Sequence, residues 1–188
     1  MPKFAILLLL LVVVLYASCG NDDGPVIENE EEVITDLVYT LVPTGGGQAV
    51  TMAFRDPDGD GGQAPTLTVS DSLQTDQTYS GTIVLTNASD PTDVEDITAE
   101  IRTEALDHQF FYIPSSGLTV TPAYADSDAQ SNPIGLLTTL RTADASSGEL
   151  RIVLRHKADK RASGVTITDP AGAGGETDIE VTFPVSVR

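Results

Sequence analysis

Two groups of residues in this 188-residue chain have the types and spacing that coordination chemistry needs. In Asp56-Pro-Asp58-Gly-Asp60-Gly61, three carboxylates two residues apart run into glycine, as at the start of a calcium loop whose oxygens wrap the ion at about 2.3–2.6 Å. The pattern departs from an EF-hand at position twelve, where a bidentate glutamate is required and Leu67 stands instead. Ca2+ at Asp56, Asp58 and Asp60 therefore needs further oxygens, for which the second acidic loop of Asp126, Asp128 and Asn132 is the candidate source. The competing reading of Asp56–Asp60 is an Asp/Gly turn between two strands.

The second group is the pair His108 and His156, the only histidines present. His108 shares parity with Phe110 and Tyr112, and His156 with Leu150, Ile152 and Leu154. Side chains alternate across a strand, so each imidazole is expected at a strand end on the inward face. If those strands are neighbours, the rings meet and, with Asp107 or Asp56, would suit Zn2+ or Cu2+, both of which favour imidazole. No His-x-His spacing supports this locally, and a hydrogen-bonded histidine at the rim of a core is the competing reading.

Catalysis has little behind it. The chain contains no Gly-x-Ser-x-Gly elbow and no Gly-Lys-Ser/Thr phosphate cradle, so it is not expected to be an enzyme. A formal net charge of −18 repels nucleic acid and anionic lipid while attracting cations; no nucleic-acid partner is expected, and the domain is expected to be a monomer. Five of the ten positive charges fall at Arg151, Arg155, Lys157, Lys160 and Arg161. They either balance neighbouring carboxylates or dock an acidic partner.

The chemistry has an address. Lys3 precedes an unbroken apolar run from Phe4 to Leu15, and the small residues Ala17 and Ser18 precede Cys19, the only cysteine. That is a charged segment, an apolar segment and a cleavage site. The run is shorter than the roughly 20 residues a membrane-spanning helix needs, and the Asn-Asp-Asp that follows at 21–23 is acidic where a stop-transfer flank is basic.

The segment resembles a bacterial lipobox, with Tyr16 where a branched aliphatic is usual. The resemblance implies a thioether-linked diacylglycerol on Cys19 and fatty acylation (palmitate) of its new amino group, the multiple chains that stable anchoring requires. Asp22 and Asp23 resemble the surface-export signal of Bacteroidota lipoproteins. Residues 1–18 are thus expected to be a lipoprotein signal peptide, 19–32 an acidic flexible tether and 33–188 the domain. Residues 1–18 carry only the Lys3 charge, so removing them takes the net charge from −18 to −19.

The elements that must position the candidate ligands are strands. Alternation runs through Val33–Leu41 and Val50–Phe54, with a turn at 43–47 between them, and Asp56–Pro65 is a loop before Leu67 and Val69. Further strands are expected at Tyr79–Asn87, within Asp90–Glu104, and at His108–Ile113 and Leu118–Tyr124. Leu136–Thr142 and Glu149–His156 read as a hairpin, and Ile179–Val187 alternates almost without exception. With one cysteine no internal disulfide forms. Eight to ten short strands with Gly, Pro and Asp turns predict an all-β, antiparallel β-sandwich of immunoglobulin-like or jelly-roll type.

Phe-Arg-Asp-Pro-Asp-Gly-Asp-Gly-Gly at 54–62, Asp-His-Gln-Phe-Phe-Tyr at 107–112, Leu-Arg-His at 154–156 and Gly-Glu-Thr-Asp-Ile-Glu-Val at 175–181 resemble a group of small Bacteroidota surface lipoproteins. Members are sometimes labelled periplasmic-binding-fold proteins, an α/β label that the alternation here contradicts. The resemblance implies an outer-membrane, cell-surface location with the membrane reached through Cys19. The expected function is that of a lipid-anchored binding protein capturing a metal ion or ligand for an outer-membrane transporter. The alternative is a calcium-stabilised adhesion or carbohydrate-binding module, although a chain without tryptophan has little from which to build a sugar-stacking face.

Overall fold

A computed structural model describes residues 32–59 and 61–188; Cys19, the segment before it, most of the expected tether and Asp60 lie outside the described residues. In chain order the elements are β1 (Asp36–Pro43), β2 (Val50–Arg55), β3 (Thr66–Val69), β4 (Thr78–Thr86), α1 (Ile97–Thr103), β5 (His108–Pro114), β6 (Val120–Tyr124), β7 (Leu137–Thr142), β8 (Ser146–His156) and β9 (Glu176–Val187). One sheet runs β3-β2-β1-β4-β7-β6 and the other β5-β8-β9. Every ladder within them is antiparallel. The expected all-β sandwich is what forms.

Strand parity decides what the sandwich encloses. Leu37, Tyr39 and Leu41 of β1 lie beside Met52 of β2 and Ile83 and Leu85 of β4, and all are fully buried. From the smaller sheet Phe110, Tyr112, Ile152, Leu154, Val181 and Phe183 join the same cluster. The two layers touch directly where the Tyr39 and Tyr112 rings come within 5.2 Å. Buried phenols need partners: the Tyr39 hydroxyl is 2.7 Å from Thr138 Oγ1, and Tyr112 donates to the carbonyl of Gly135 at 2.6 Å.

The strand expected within Asp90–Glu104 is not there; α1 occupies Ile97–Thr103 instead. Ile97, Ala99 and Ile101 alternate, but Ala99 is exposed, while Ile97 and Ile101 are buried one helical turn apart. Asp96 caps the helix by accepting the N–H of Ala99, a role for which aspartate is well suited. Thr98 ties α1 to β4, its hydroxyl accepting the N–H of Leu85 and donating to the Leu85 carbonyl. It serves a strand edge that β7 no longer covers, since the β4–β7 ladder ends at Thr82–Leu137.

Candidate histidine–carboxylate site

The end of the small sheet gathers the start of β5, the end of β8 and the start of β9. His108 pairs directly with His156 in the β5–β8 ladder, and their rings stack with centroids 4.6 Å apart and planes 6° from parallel. Both side chains are buried. Glu104, the residue that closes α1, brings its carboxylate to the same place: Glu104, His108 and His156 offer ligand atoms all within 4.8 Å of one another, a group that could hold a metal ion.

The backbone sets the His108 tautomer. Its Nδ1 lies 3.1 Å from the Glu104 carbonyl oxygen, which can only accept, so Nδ1 carries the hydrogen. Burial, with the nearby His156 adding to it, outweighs the Glu104 contact and the charges of Glu104 and Asp107 and lowers the pKa of His108, favouring the neutral ring. The lone pair of that neutral ring is then on Nε2. Nε2 faces Asp178 Oδ2 at 3.8 Å and Glu32 Oε1 at 3.9 Å.

Glu32 and Asp178 line one side of a cavity of about 390 Å3 that also includes Phe54, Asp56 and Glu180. Burial, followed by the charges of Asp178, Glu100 and Glu104, pushes the Glu32 carboxyl up to about 7. Its Oε2 is buried without a hydrogen-bond partner among the described residues. Asp178 reaches the cavity through an irregularity in the β8–β9 ladder: Leu154 pairs with Ile179 and Arg155 with Thr177, so Asp178 is the extra residue of a bulge. A bulge re-aims a side chain, and that of Asp178 is only 6% exposed, whereas Glu180, which lines the same cavity, is exposed.

The sequence candidates therefore separate. His108 and His156 are brought together, and Asp56, where the chain leaves β2, lines the neighbouring cavity. Asp58 is exposed and spends its carboxylate inside its own loop by accepting the N–H of Gln63; Asp60 lies outside the described residues. The second acidic loop closes on itself. Asp126 accepts the N–H groups of Gly135 and Leu137, and Asp128 accepts those of Gln130 and Asn132 together with the Lys160 ammonium. Asp107, suggested beside the histidines, acts on His108 through its charge.

Glu32, Glu104 and Asp178 are the residues that sequence reasoning missed. Glu32 sits at the end of the expected tether, Glu104 in a segment taken for a strand, and Asp178 on the outward parity of β9 until the bulge turns it. The basic cluster does not act as one patch. Arg151 pairs with Glu180 at 3.1 Å, Lys160 is buried against Asp128, and Arg161 donates to Asn132 and Gln130. No family model matches this chain, and neither a curated protein nor a solved structure matches it.

Proposed function

We propose that this is a lipid-anchored cell-surface protein whose β-sandwich captures a divalent metal ion at the histidine end of the small sheet and presents it to an outer-membrane transporter. The observation that carries the reading is the convergence of Glu104, His108 and His156, from α1, β5 and β8. Neutral imidazole favours Zn2+ or Cu2+, and the acidic surface draws cations in. The anchor rests on the Lys3 to Cys19 pattern and the Asp22-Asp23 that follow. The alternative of a calcium-stabilised adhesion or carbohydrate-binding module draws on the same acidic cavity but has Asp58 committed to its own turn.

The test is a thermal melt of the chelator-stripped protein with Zn2+, Cu2+ and Ca2+ added separately. An ion that binds only the folded state stabilises it by about 2.7 kcal/mol at a hundred times its Kd, which for a domain of this size moves Tm by about 5–10 °C. A Zn2+ or Cu2+ shift that disappears in His108→Ala and His156→Ala supports the reading. A shift with Ca2+ alone, unaffected by those substitutions, supports the alternative, and no shift with any ion defeats both.

A further inference from the structure

We infer that the domain cross-links itself through an isopeptide bond between Lys160 and Asn132, with Asp128 carrying the protons and Arg161 stabilising the oxyanion. The four side chains meet where the segment after β8 reaches the loop between β6 and β7. Lys160 Nζ lies 3.0 Å from Asp128 Oδ2, the two side chains being 3% and 0% exposed. Asn132 Nδ2 donates to the same oxygen at 3.3 Å and to Oδ1 at 3.4 Å. The attacking nitrogen and the leaving nitrogen therefore sit on one carboxylate. Across the carboxamide, Arg161 Nε donates to Asn132 Oδ1 at 2.9 Å.

Acyl transfer from an amide to an amine needs this division of roles. A carboxylate touching both groups can take a proton from one and return it to the other. A donor about 2.7–3.1 Å from the carbonyl oxygen stabilises the charge that collects there. An ion pair alone requires neither the amide on the carboxylate nor the guanidinium on the amide oxygen. The parts are also held in place before any reaction: Asp128 Oδ1 accepts the N–H groups of Gln130 and Asn132, Arg161 reaches Gln130 Oε1 at 3.3 Å, and Lys160 Nζ donates to the Ala105 carbonyl at 2.6 Å. What remains is a turn of the flexible lysine stem that sets Nζ on Asn132 Cγ.

The sequence protects the acceptor. An asparagine side chain is ordinarily lost to the backbone N–H of the next residue, which attacks Cγ to close a succinimide. Residue 133 is proline and has no N–H, so the Asn132 carboxamide is kept for the lysine. In the reaction Nζ passes a proton to Asp128 and attacks Cγ; the Nζ–Cγ bond forms and the carbonyl electron pair moves onto Oδ1 beside Arg161. As that pair returns, the Cγ–Nδ2 bond breaks. Nζ gives up two protons in all, both relayed through Asp128 to Nδ2, which leaves as ammonium. Asp128 ends as the carboxylate it was, and nothing is oxidised or reduced. With a single cysteine the chain has no internal disulfide; this bond ties together the ends of the segment that carries β7 and β8. Neither His108 nor His156 takes part, so the bond is independent of the proposed metal site.

Peptide mass spectrometry of the purified full chain, denatured and digested with trypsin, tests this without any substitution. The expected product is one branched peptide joining Asn132 to Lys160, lighter than its two parts by one ammonia and uncut after Lys160. Lys160→Arg keeps the charge and should lose the branched peptide, as should Asn132→Ala. Asp128→Asn leaves both reacting side chains in place and should slow formation of the bond at least about a hundredfold, with circular dichroism confirming that the variant folds. A native chain that is cut after Lys160, with Lys160 and Asn132 in separate peptides, overturns the inference. So does a branched peptide that has lost water instead of ammonia, which puts the bond on Asp128. A folded Asp128→Asn chain that links as fast as the native one overturns the catalytic role of Asp128.

Discussion

His108 and His156 face each other across one rung of the β5–β8 ladder, their rings 4.6 Å apart and almost parallel. The stack and the bond from Nδ1 to the Glu104 carbonyl together fix the orientation of His108, so its Nε2 is held toward Asp178 and Glu32 before any ligand arrives. A ligand held in place by surrounding packing and hydrogen bonds binds metal with less reorganisation. The surrounding acids make that pre-organisation costly to the empty domain.

The cost has a measurable pH signature through Glu32. Burial and the neighbouring charges of Asp178, Glu100 and Glu104 push its carboxyl from 4.5 to about 7, so the folded state holds this proton more tightly than the unfolded chain does. The stabilising share of that proton is complete below about 4.5 and is lost as pH rises through about 7. Metal-free Glu32→Gln should therefore be more stable than the native protein at pH about 8, and that advantage should shrink toward pH about 5. Urea midpoints at the two pH values check this; an advantage independent of pH would show that the charge of Glu32 is not the cause.

A second pH effect belongs to the buried pair of Lys160 and Asp128. Lys160 Nζ lies 3.0 Å from Asp128 Oδ2 with both side chains buried, and it also donates to the carbonyl of Ala105. Burial alone would push Asp128 up, but donation from Asn132, Lys160 and Gln130 holds its pKa below the ordinary carboxylate value. Its stabilising contribution is present above the unfolded value of 3.8 and is lost as pH falls through the folded one. Lys160→Met strands a buried carboxylate and should cost about 3–5 kcal/mol, lowering Tm by about 6–20 °C. Adding Asp128→Asn should recover part of that loss. A thermal melt showing less than about 1 kcal/mol, the range of solvated surface pairs, would contradict the burial of this pair.

The address is tested at Cys19. Cys19→Ser should move the protein from the membrane to the soluble fraction and abolish labelling by a fatty-acid analogue, while leaving Zn2+ affinity unchanged. Retention of the serine variant in the membrane would place the anchor elsewhere.

Alternation made most of the fold legible because most strands bury one face: the parity of Phe110, Tyr112, Ile152 and Leu154 was enough to put both histidines inward. It misled at Ile97 and Ile101, whose spacing satisfies a strand through residue 99 and a helix through one full turn. The Asp96 cap settles that choice in the fold. The pairing of His108 with His156 depends on which strands become neighbours, which no local pattern states. Glu32 was hidden because it precedes the first strand and meets β5 and β9 only in the folded chain, and Asp178 because it is the extra residue of a bulge.

The bulge supplies the sharpest test of how the site is built. Leu154 pairs with Ile179 and Arg155 with Thr177, so Asp178 is the extra residue of the bulge. Deleting Asp178 should therefore let β8 and β9 pair continuously with every other β9 side chain on its present face. Deleting Val181 instead shifts the strand by one and sends one side of its buried set, Ile179 or Phe183 and Val185, toward solvent. The Asp178 deletion is expected to keep the strand-rich circular dichroism spectrum and a cooperative melt; the Val181 deletion is expected not to fold. If both deletions unfold the domain alike, Asp178 is not a removable insertion and the bulge itself is needed for the path of the strand.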